Sequence, residues 1–109
     1  MNYITKDSGK REEYESGMRR DSTDGKPDYT LIYEPMLTRW AELMTRGAEK
    51  YGRRNWELAK TQEELERFRA SALRHMYQWL RGDRDEDHAA AILFNISAAE
   101  KVRDETLNT

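Results

Sequence analysis

Apolar residues recur at helical spacing in three segments of this chain, and this pattern limits the fold more than any other feature. The first stripe contains Met36, Leu37, Trp40, Leu43, Met44 and Gly47. The second contains Leu65, Phe68, Ala72, His75, Met76 and Trp79, and the third contains His88, Ile92, Asn95, Ile96, Ala99 and Val102. Spacings of three and four residues place each set on one face of an α-helix. The sequence therefore predicts three helices that bury these faces against one another.

Start and stop signals give approximate bounds for these helices. Pro35 suits the first turn of a helix over residues 34–51. The sequence TQEE at residues 61–64 is a capping-box signature for the second helix, which Gly82 can end. The acidic residues around Asp85 suit the positive end of a helix dipole, so we expect the third helix to start there.

Polar residues dominate the chain before the first helix. Residues 1–26 contain charges, Ser and Gly without a helical or strand period, so we expect a polar, flexible segment and no pair of strands. The remaining residues, 27–109, then form one helical domain. The predicted fold class is all-α, a small bundle of three main helices. Leu93 and Phe94 lie off the main stripe of the third helix, which indicates a second packing surface and a homo-oligomer that completes the bundle.

Composition excludes several classes of protein. The chain has 109 residues, 19 of them Lys or Arg and 21 Asp or Glu, so it lacks the bulk positive charge of many nucleic-acid binders. It has no cysteine, which excludes disulfides and thiolate zinc sites. No apolar stretch reaches the roughly 20 residues of a membrane span, and the N-terminus lacks the apolar core of a signal peptide. We therefore expect a cytoplasmic protein without membrane or direct nucleic-acid partners.

Three polar residues, His75, His88 and Asn95, lie on the apolar stripes of the second and third helices. One interpretation is that they are hydrogen-bonded within the core, because an unpaired buried polar group costs about 1–3 kcal/mol. The other is that they form a polar patch lining a pocket between helices. Both histidines of the chain fall on such stripes, and both interpretations stay open.

The segment DRDEDH, residues 83–88, is the densest cluster of ionisable groups. Asp85 and His88 are three residues apart and share a helix face, and Asp87 adjoins His88. Carboxylates together with one imidazole can hold Mg²⁺ or Mn²⁺, ions that prefer oxygen ligands. The alternative is a charged first turn that complements the helix dipole without binding an ion.

The segment RGAEKYGRRNW, residues 46–56, combines four cationic side chains with Tyr51 and Trp56. Arg and Lys can neutralise phosphate, and flat rings can stack on a base, so the combination suits a nucleotide. The alternative is a basic helix end that is favourable at the negative pole of the helix dipole.

Four motifs occur along the chain in a recognisable order: GKPDYTLI (25–32), RGAEKYGRRNW (46–56), SALRHMYQWLRG (71–82) and DEDHAAAILFN (85–95). Together they resemble the phage dATP/dGTP diphosphohydrolase family, which looks like a branch of the MazG-type all-α nucleoside triphosphate pyrophosphohydrolases. The resemblance implies a MazG-like helical domain and hydrolysis of a purine deoxynucleoside triphosphate to the monophosphate and pyrophosphate. It also implies Mg²⁺ or Mn²⁺, and a role in phage nucleotide metabolism in the host cytoplasm.

The resemblance carries functional residues over to this chain, and their chemistry suggests roles. The catalytic candidates are His75, which could orient or deprotonate water, and Lys50 and Arg74, which could neutralise phosphate oxygens. The substrate-binding candidates, for stacking on the base or contacting its edge or the sugar, are Tyr51, Asn55, Trp56 and Asn95. The metal candidates are Asp85 and His88 from the resemblance, together with Asp87 from the acidic cluster itself.

One departure from the wider MazG-type pattern supports an alternative function. That pattern has an acidic ExxE pair of metal ligands, whereas the residue three positions before Glu49 is Arg46. The alternative is a non-catalytic phage protein that binds and sequesters a nucleotide. A third hypothesis is a helical adaptor whose polar stripe residues only fix helix register. The motif set favours the pyrophosphohydrolase.

Overall fold

Three α-helices carry most of the chain in the computed structural model, which describes residues 3–107 and only the backbone of the last of these. The helices are α1 (Glu34–Tyr51), α2 (Gln62–Leu80) and α3 (His88–Leu107). The predicted all-α class with three main helices is therefore confirmed. The bounds of α1 are those that the sequence predicts, and Gly52 ends it at a φ of 95°, a conformation that favours glycine.

A capping box starts α2 at the position that the sequence predicts. The Thr61 hydroxyl accepts a hydrogen bond from the Glu64 backbone N–H at 3.1 Å, and the Glu64 carboxylate accepts one from the Thr61 backbone N–H at 3.1 Å. Two N–H groups that the first turn leaves unpaired thus find partners, which stabilises a helix by about 1 kcal/mol.

The third helix begins at His88, three residues later than the sequence predicted. Asp87 lies just before it, and its carboxylate Oδ1 accepts a hydrogen bond from the Ala90 backbone N–H at 3.1 Å. The Asp87 carbonyl accepts the Ala91 N–H at 3.0 Å, which completes the geometry of an N-cap. The expectation that Asp85 begins α3 was wrong because Asp87 caps the helix, so Asp85 and Glu86 lie outside its first turn.

A two-stranded antiparallel sheet lies in the N-terminal segment, where we expected no pair of strands. Strand β1 (Arg11–Glu13) pairs with β2 (Arg19–Asp21) in the register Arg11 to Asp21, Glu12 to Arg20 and Glu13 to Arg19. Every one of these pairs joins opposite charges, which favours cross-strand pairing. The prediction failed because it relied on apolar alternation, and these strands contain only charged residues.

Contacts within the chain divide it into two units, with the boundary between Ile32 and Tyr33. The first unit holds the hairpin and one turn of 3₁₀ helix at Tyr29–Leu31, and the second holds α1, α2 and α3. The predicted flexibility of residues 1–26 stays a prediction.

Helices α2 and α3 pack along each other and form the core of the second unit. The buried cluster there consists of Ala59, Leu65, Ala99 and Val102, with Phe68 packed against it. Ala90 and Ala98 are fully buried, so small side chains let α3 approach its neighbours closely. Helix α1 packs on α3 far more than on α2. None of the helices in the described part of the chain is long and apolar enough to cross a membrane.

Candidate functional site

A cavity of about 1100 Å³ lies in the helical unit, beside the C-terminal half of α1 and the loop that leads to α2. Four predicted site residues line it: Lys50, Tyr51, Asn55 and Trp56. Phe68 of α2 and Phe94 of α3 complete its apolar side. Small-molecule sites typically enclose about 300–1,000 Å³, so the cavity has room for a nucleotide.

Two unusual backbone conformations shape the loop at the cavity. Gly52 ends α1 with its N–H bonded to the Ala48 carbonyl at 2.9 Å, and Arg54 adopts the left-handed conformation with φ 61° and ψ 23°. Arg54 is the one non-glycine residue with positive φ among those described. Such a conformation is strained for a side chain of this kind, and strain of this type gathers at functional sites. The left-handed conformation of Arg54 directs the chain into a 3₁₀ helix, Asn55–Leu58, which carries two of the candidate residues.

The rings at the cavity divide into a packed wall and one free face. The ring centroids of Trp56 and Phe94 are 6.1 Å apart at 85°, and those of Phe68 and Phe94 are 6.1 Å apart at 83°. These are edge-to-face contacts, which fix the wall. Tyr51 is 63% exposed, with Lys50 Nζ 5.2 Å from its ring centroid. Tyr51 is therefore better placed than Trp56 to stack on a base.

The cations around the cavity differ in their partners. Arg54 Nη1 lies 2.6 Å from Glu57 Oε1 and is held by that ion pair. Lys50 and Arg53 form no ion pair within the described part of the chain, and both line the cavity. Unpaired cations beside an exposed ring are suited to a ligand that combines phosphate with a base.

A second group of predicted residues meets where the end of α2 faces the start of α3. His75 Nδ1 lies 2.9 Å from His88 Nδ1, and His88 Nε2 lies 2.8 Å from Asp85 Oδ1. His88 is 2% exposed and His75 is 7% exposed. The two histidines are thus buried and hydrogen-bonded, as the core interpretation requires, but to each other and to an exposed carboxylate.

The hydrogen-bond partners in this chain of groups define the tautomers that the two rings adopt when both are neutral. A carboxylate only accepts, so His88 carries its proton on Nε2 and donates it to Asp85. When His88 is neutral, its Nδ1 is an acceptor, and His75 donates to it from Nδ1. This leaves Nε2 of His75 with a lone pair. Asp85, His88 and His75, here called the histidine relay, thus present a basic nitrogen at one end.

The surroundings keep one end of the histidine relay neutral and the other negatively charged. Burial, and then the neighbouring positive charge of Arg74, lower the pKa of His75, so the ring is neutral at pH 7. The hydrogen bond from His88 lowers the pKa of Asp85, which is ionised at pH 7. A neutral imidazole with a free nitrogen can accept a proton from water.

Asp87 is bound by Arg39, a residue that the sequence analysis did not single out. Arg39 Nε donates to Asp87 Oδ2 at 2.7 Å, and Arg39 Nη2 donates to Oδ1 at 2.6 Å. The guanidinium lowers the pKa of Asp87, against the opposing effect of burial. The two residues are 48 positions apart, a separation at which no motif or helical period could have paired them.

Asp85, Glu86 and His88 could together hold a metal ion. One ligand atom of each lies within 4.8 Å of the other two. Two carboxylates with one imidazole could ligate a divalent cation. Of the three predicted metal candidates, Asp87 lies outside this group because Arg39 engages both of its oxygens. Glu86, which the prediction left out, is the third member.

Two predicted residues, Asn95 and Arg74, neither line the cavity nor belong to the histidine relay. Asn95 is buried, and its Nδ2 donates to the Ala91 carbonyl one turn earlier at 2.8 Å, so this donor is used within α3. Arg74 is exposed on α2 and acts on His75 through its charge. The cavity and the histidine relay are joined by α2, because Phe68 and His75 are seven residues apart on it, about 10 Å along the axis.

In a comparison with protein families, residues 16–108 match the family described as dATP/dGTP diphosphohydrolase, N-terminal. This region contains α1, α2 and α3 and therefore every residue of the cavity and of the histidine relay. Searches of curated proteins and of solved structures returned no match.

Proposed function

Because the chain belongs to the dATP/dGTP diphosphohydrolase, N-terminal family, we propose that it hydrolyses dATP or dGTP to the monophosphate and pyrophosphate, in phage nucleotide metabolism. The observation that carries the proposal is the presence of two complementary groups in one helical unit. A cavity with free cations and an exposed ring suits the nucleotide. A buried histidine relay lies about two helix turns away and suits the chemistry.

Substrate binding falls to the cavity. The exposed Tyr51 ring stacks on the purine, while Trp56 packs on Phe94 and forms the wall behind it. Lys50 and Arg53 neutralise phosphate oxygens, since neither is held by an acidic partner in the described residues. Asn55 is exposed at the cavity and can contact the base edge or the sugar.

Hydrolysis falls to the histidine relay. His75 Nε2 takes a proton from water, the water oxygen bonds to the α-phosphorus, and the bond to the bridging oxygen breaks so that pyrophosphate leaves. Asp85 and His88 hold the His75 ring in the tautomer that can accept this proton. Arg74, on the adjacent surface of α2, and Lys50 offset charge on the phosphates. The carboxylates of Asp85 and Glu86 would hold Mg²⁺ or Mn²⁺, which supplies further neutralisation of the phosphate oxygens, and His88 would join them where its Nε2 gives up the proton shared with Asp85.

Product analysis tests this proposal. Purified protein is incubated with each of the four deoxynucleoside triphosphates and with Mg²⁺ or Mn²⁺, and the products are resolved by ion-exchange chromatography. We expect dAMP or dGMP with an equal amount of pyrophosphate, and a much slower reaction for His75→Ala. Absence of both products at high protein concentration would show that the chain is not a diphosphohydrolase.

A second candidate function is sequestration of a nucleotide without hydrolysis. Arg46 lines the cavity at the position where the wider MazG-type pattern has an acidic ligand, which favours binding of an anion over binding of a cation there. This function predicts that a purine nucleotide retained by the protein is released intact when the protein is denatured. Recovery of the monophosphate instead would exclude it.

Exposed apolar side chains support a homo-oligomer. Leu73, Tyr77 and Leu80 follow helical spacing on α2 and are 55%, 59% and 66% exposed. Phe94, which first suggested a second packing surface, instead contacts Trp56 and Phe68 within the chain. We propose that copies of this chain associate through the exposed face of α2 that Leu73, Tyr77 and Leu80 form, in the host cytoplasm. Sedimentation of the parent and of Leu73→Glu tests this, and a monomeric parent would contradict it.

A further inference from the structure

Arg39 joins α1 to the residue that starts α3. Its two hydrogen bonds to Asp87, at 2.7 and 2.6 Å, form a fork that fixes direction as well as distance. The same carboxylate accepts the Ala90 N–H and caps α3. The position of Asp87 is therefore set from two helices at once.

Asp87 stands between two residues of the group that could hold a metal. Glu86 precedes it and His88 follows it, and planar peptide bonds link the three. Movement of Asp87 therefore moves the ligand atoms on both sides. His88 is also the middle member of the histidine relay, so its position decides whether its ring meets both His75 and Asp85.

The pair of Arg39 with Asp87 adds to the packing that holds α1 in the helical unit. Helix α1 packs on α3 far more than on α2. Among the described residues, the pair of Arg39 with Asp87 is the one ion pair that ties α1 to another part of the helical unit. The far end of α1 carries Lys50 and Tyr51, which line the cavity. Arg39 thus lies on the element that connects the cavity with the start of α3.

We propose that Arg39 is a positioning residue, which acts through Asp87 to hold Glu86 and His88 in register with His75. The expected effect of Arg39 on turnover rests on the proposed function. Its expected effects on the histidine pair and on metal affinity do not, because both are measured without substrate.

Three variants test the proposal against a merely stabilising ion pair. Arg39→Gln removes the charge and the fork, and Arg39→Lys keeps the charge without the fork. Arg69→Gln is the matched control, because it removes an exposed ion pair with Glu66, 2.8 Å long and within α2. The readouts are the imidazole ¹⁵N signals of the two histidines in metal-free protein, the affinity for Mn²⁺ alone by electron paramagnetic resonance, and kcat separately from KM.

We expect Arg39→Gln to lose the defined tautomer pattern of the histidine pair and to bind Mn²⁺ about 10–100-fold more weakly, the usual effect of removing a group that orients metal ligands. Its kcat falls more than its KM rises, Arg39→Lys is intermediate, and Arg69→Gln matches the parent in all three readouts. If the parent does not hydrolyse nucleotides but Arg39→Gln still alters the histidine signals and Mn²⁺ affinity, the positioning role stands and the proposed function fails.

A purely stabilising role gives a different pattern. Arg39→Gln would then melt at a lower temperature while its folded molecules keep the histidine signals and the Mn²⁺ affinity of the parent, and this result overturns the proposal. Arg39→Lys decides the matter if Arg39→Gln does not fold, because parent-like values for Arg39→Lys in every readout would equally overturn it.

Discussion

The cavity and the histidine relay differ in how firmly their chemical groups are held before any ligand arrives. At the cavity, Tyr51 is 63% exposed, and Lys50 Nζ lies over its ring. In the relay, His88 is 2% exposed and is hydrogen-bonded through both ring nitrogens. Groups that are fixed in advance need little reorganisation during a reaction, whereas open rings and cations can close around a ligand. The difference supports the proposed division, with chemistry at the relay and recognition at the cavity.

Removing the middle of the histidine relay is the strongest challenge to this division. We expect His88→Ala to lower kcat by about 10²-fold or more, because His75 loses the partner that fixes its tautomer. The variant should also lose about 1–3 kcal/mol of stability, since His75 and Asp85 are left without their shared partner. Turnover is therefore measured per folded molecule, with the folded fraction taken from circular dichroism.

Val102→Ala is the matched control for His88→Ala. Val102 is 2% exposed in the core and lies outside both the cavity and the relay, so its truncation destabilises the fold without touching either. We expect normal turnover per folded molecule for this control. Normal turnover per folded molecule in His88→Ala would show that His88 has a purely structural role.

Truncation at the cavity should act on binding instead. Stacking on one base is worth about 1–3 kcal/mol, so we expect Tyr51→Ala to raise KM by roughly tenfold or more with little change in kcat. Steady-state kinetics and calorimetric titration with a non-hydrolysable analogue measure the two effects separately. Tyr14→Ala removes an exposed ring that does not line the cavity, and should leave KM unchanged. A fall in kcat without a change in KM would show that Tyr51 acts in the chemical step and not in substrate binding.

Local signals in the sequence predicted most of the helical unit. The cap at Thr61 and Glu64 depends on residues within one turn, and Gly52 ends α1 through its own backbone, so both could be found from short stretches. The hairpin was not predicted because its strands are held by cross-strand pairs such as Glu13 with Arg19. Helical or alternating apolar patterns do not reveal such pairs. The start of α3 was misplaced because several neighbouring acids could serve as its cap.

The candidate site was predictable as a set of residues but not as an arrangement. The motifs contained His75, His88 and Asp85, yet no spacing between α2 and α3 could show that the two rings share a hydrogen bond. The link from Arg39 to Asp87 depends on how α1 packs on α3, which the sequence does not state. Contacts between helices decide which carboxylate faces a ring and which faces a guanidinium.

The smallest expected effect concerns the charge on Asp87, whose carboxylate stands beside the relay without belonging to it. Asp87→Asn keeps a good helix cap but cannot ionise, so it isolates the charged bonds to Arg39. Those bonds lower the pKa of Asp87 below its unfolded value near 4. The stability they add is therefore present above about pH 4 and is lost as pH falls through the lower, folded pKa. We expect the parent to exceed the variant by about 1 kcal/mol at pH 6, since Arg39 is partly exposed, and the difference to vanish in acid. Urea unfolding at a series of pH values measures it, with Asp104→Asn on the exposed side of α3 as the control. A difference that stays constant down to pH 2 would mean that the ion pair contributes nothing through charge, and that Asp87 holds α3 by its shape alone.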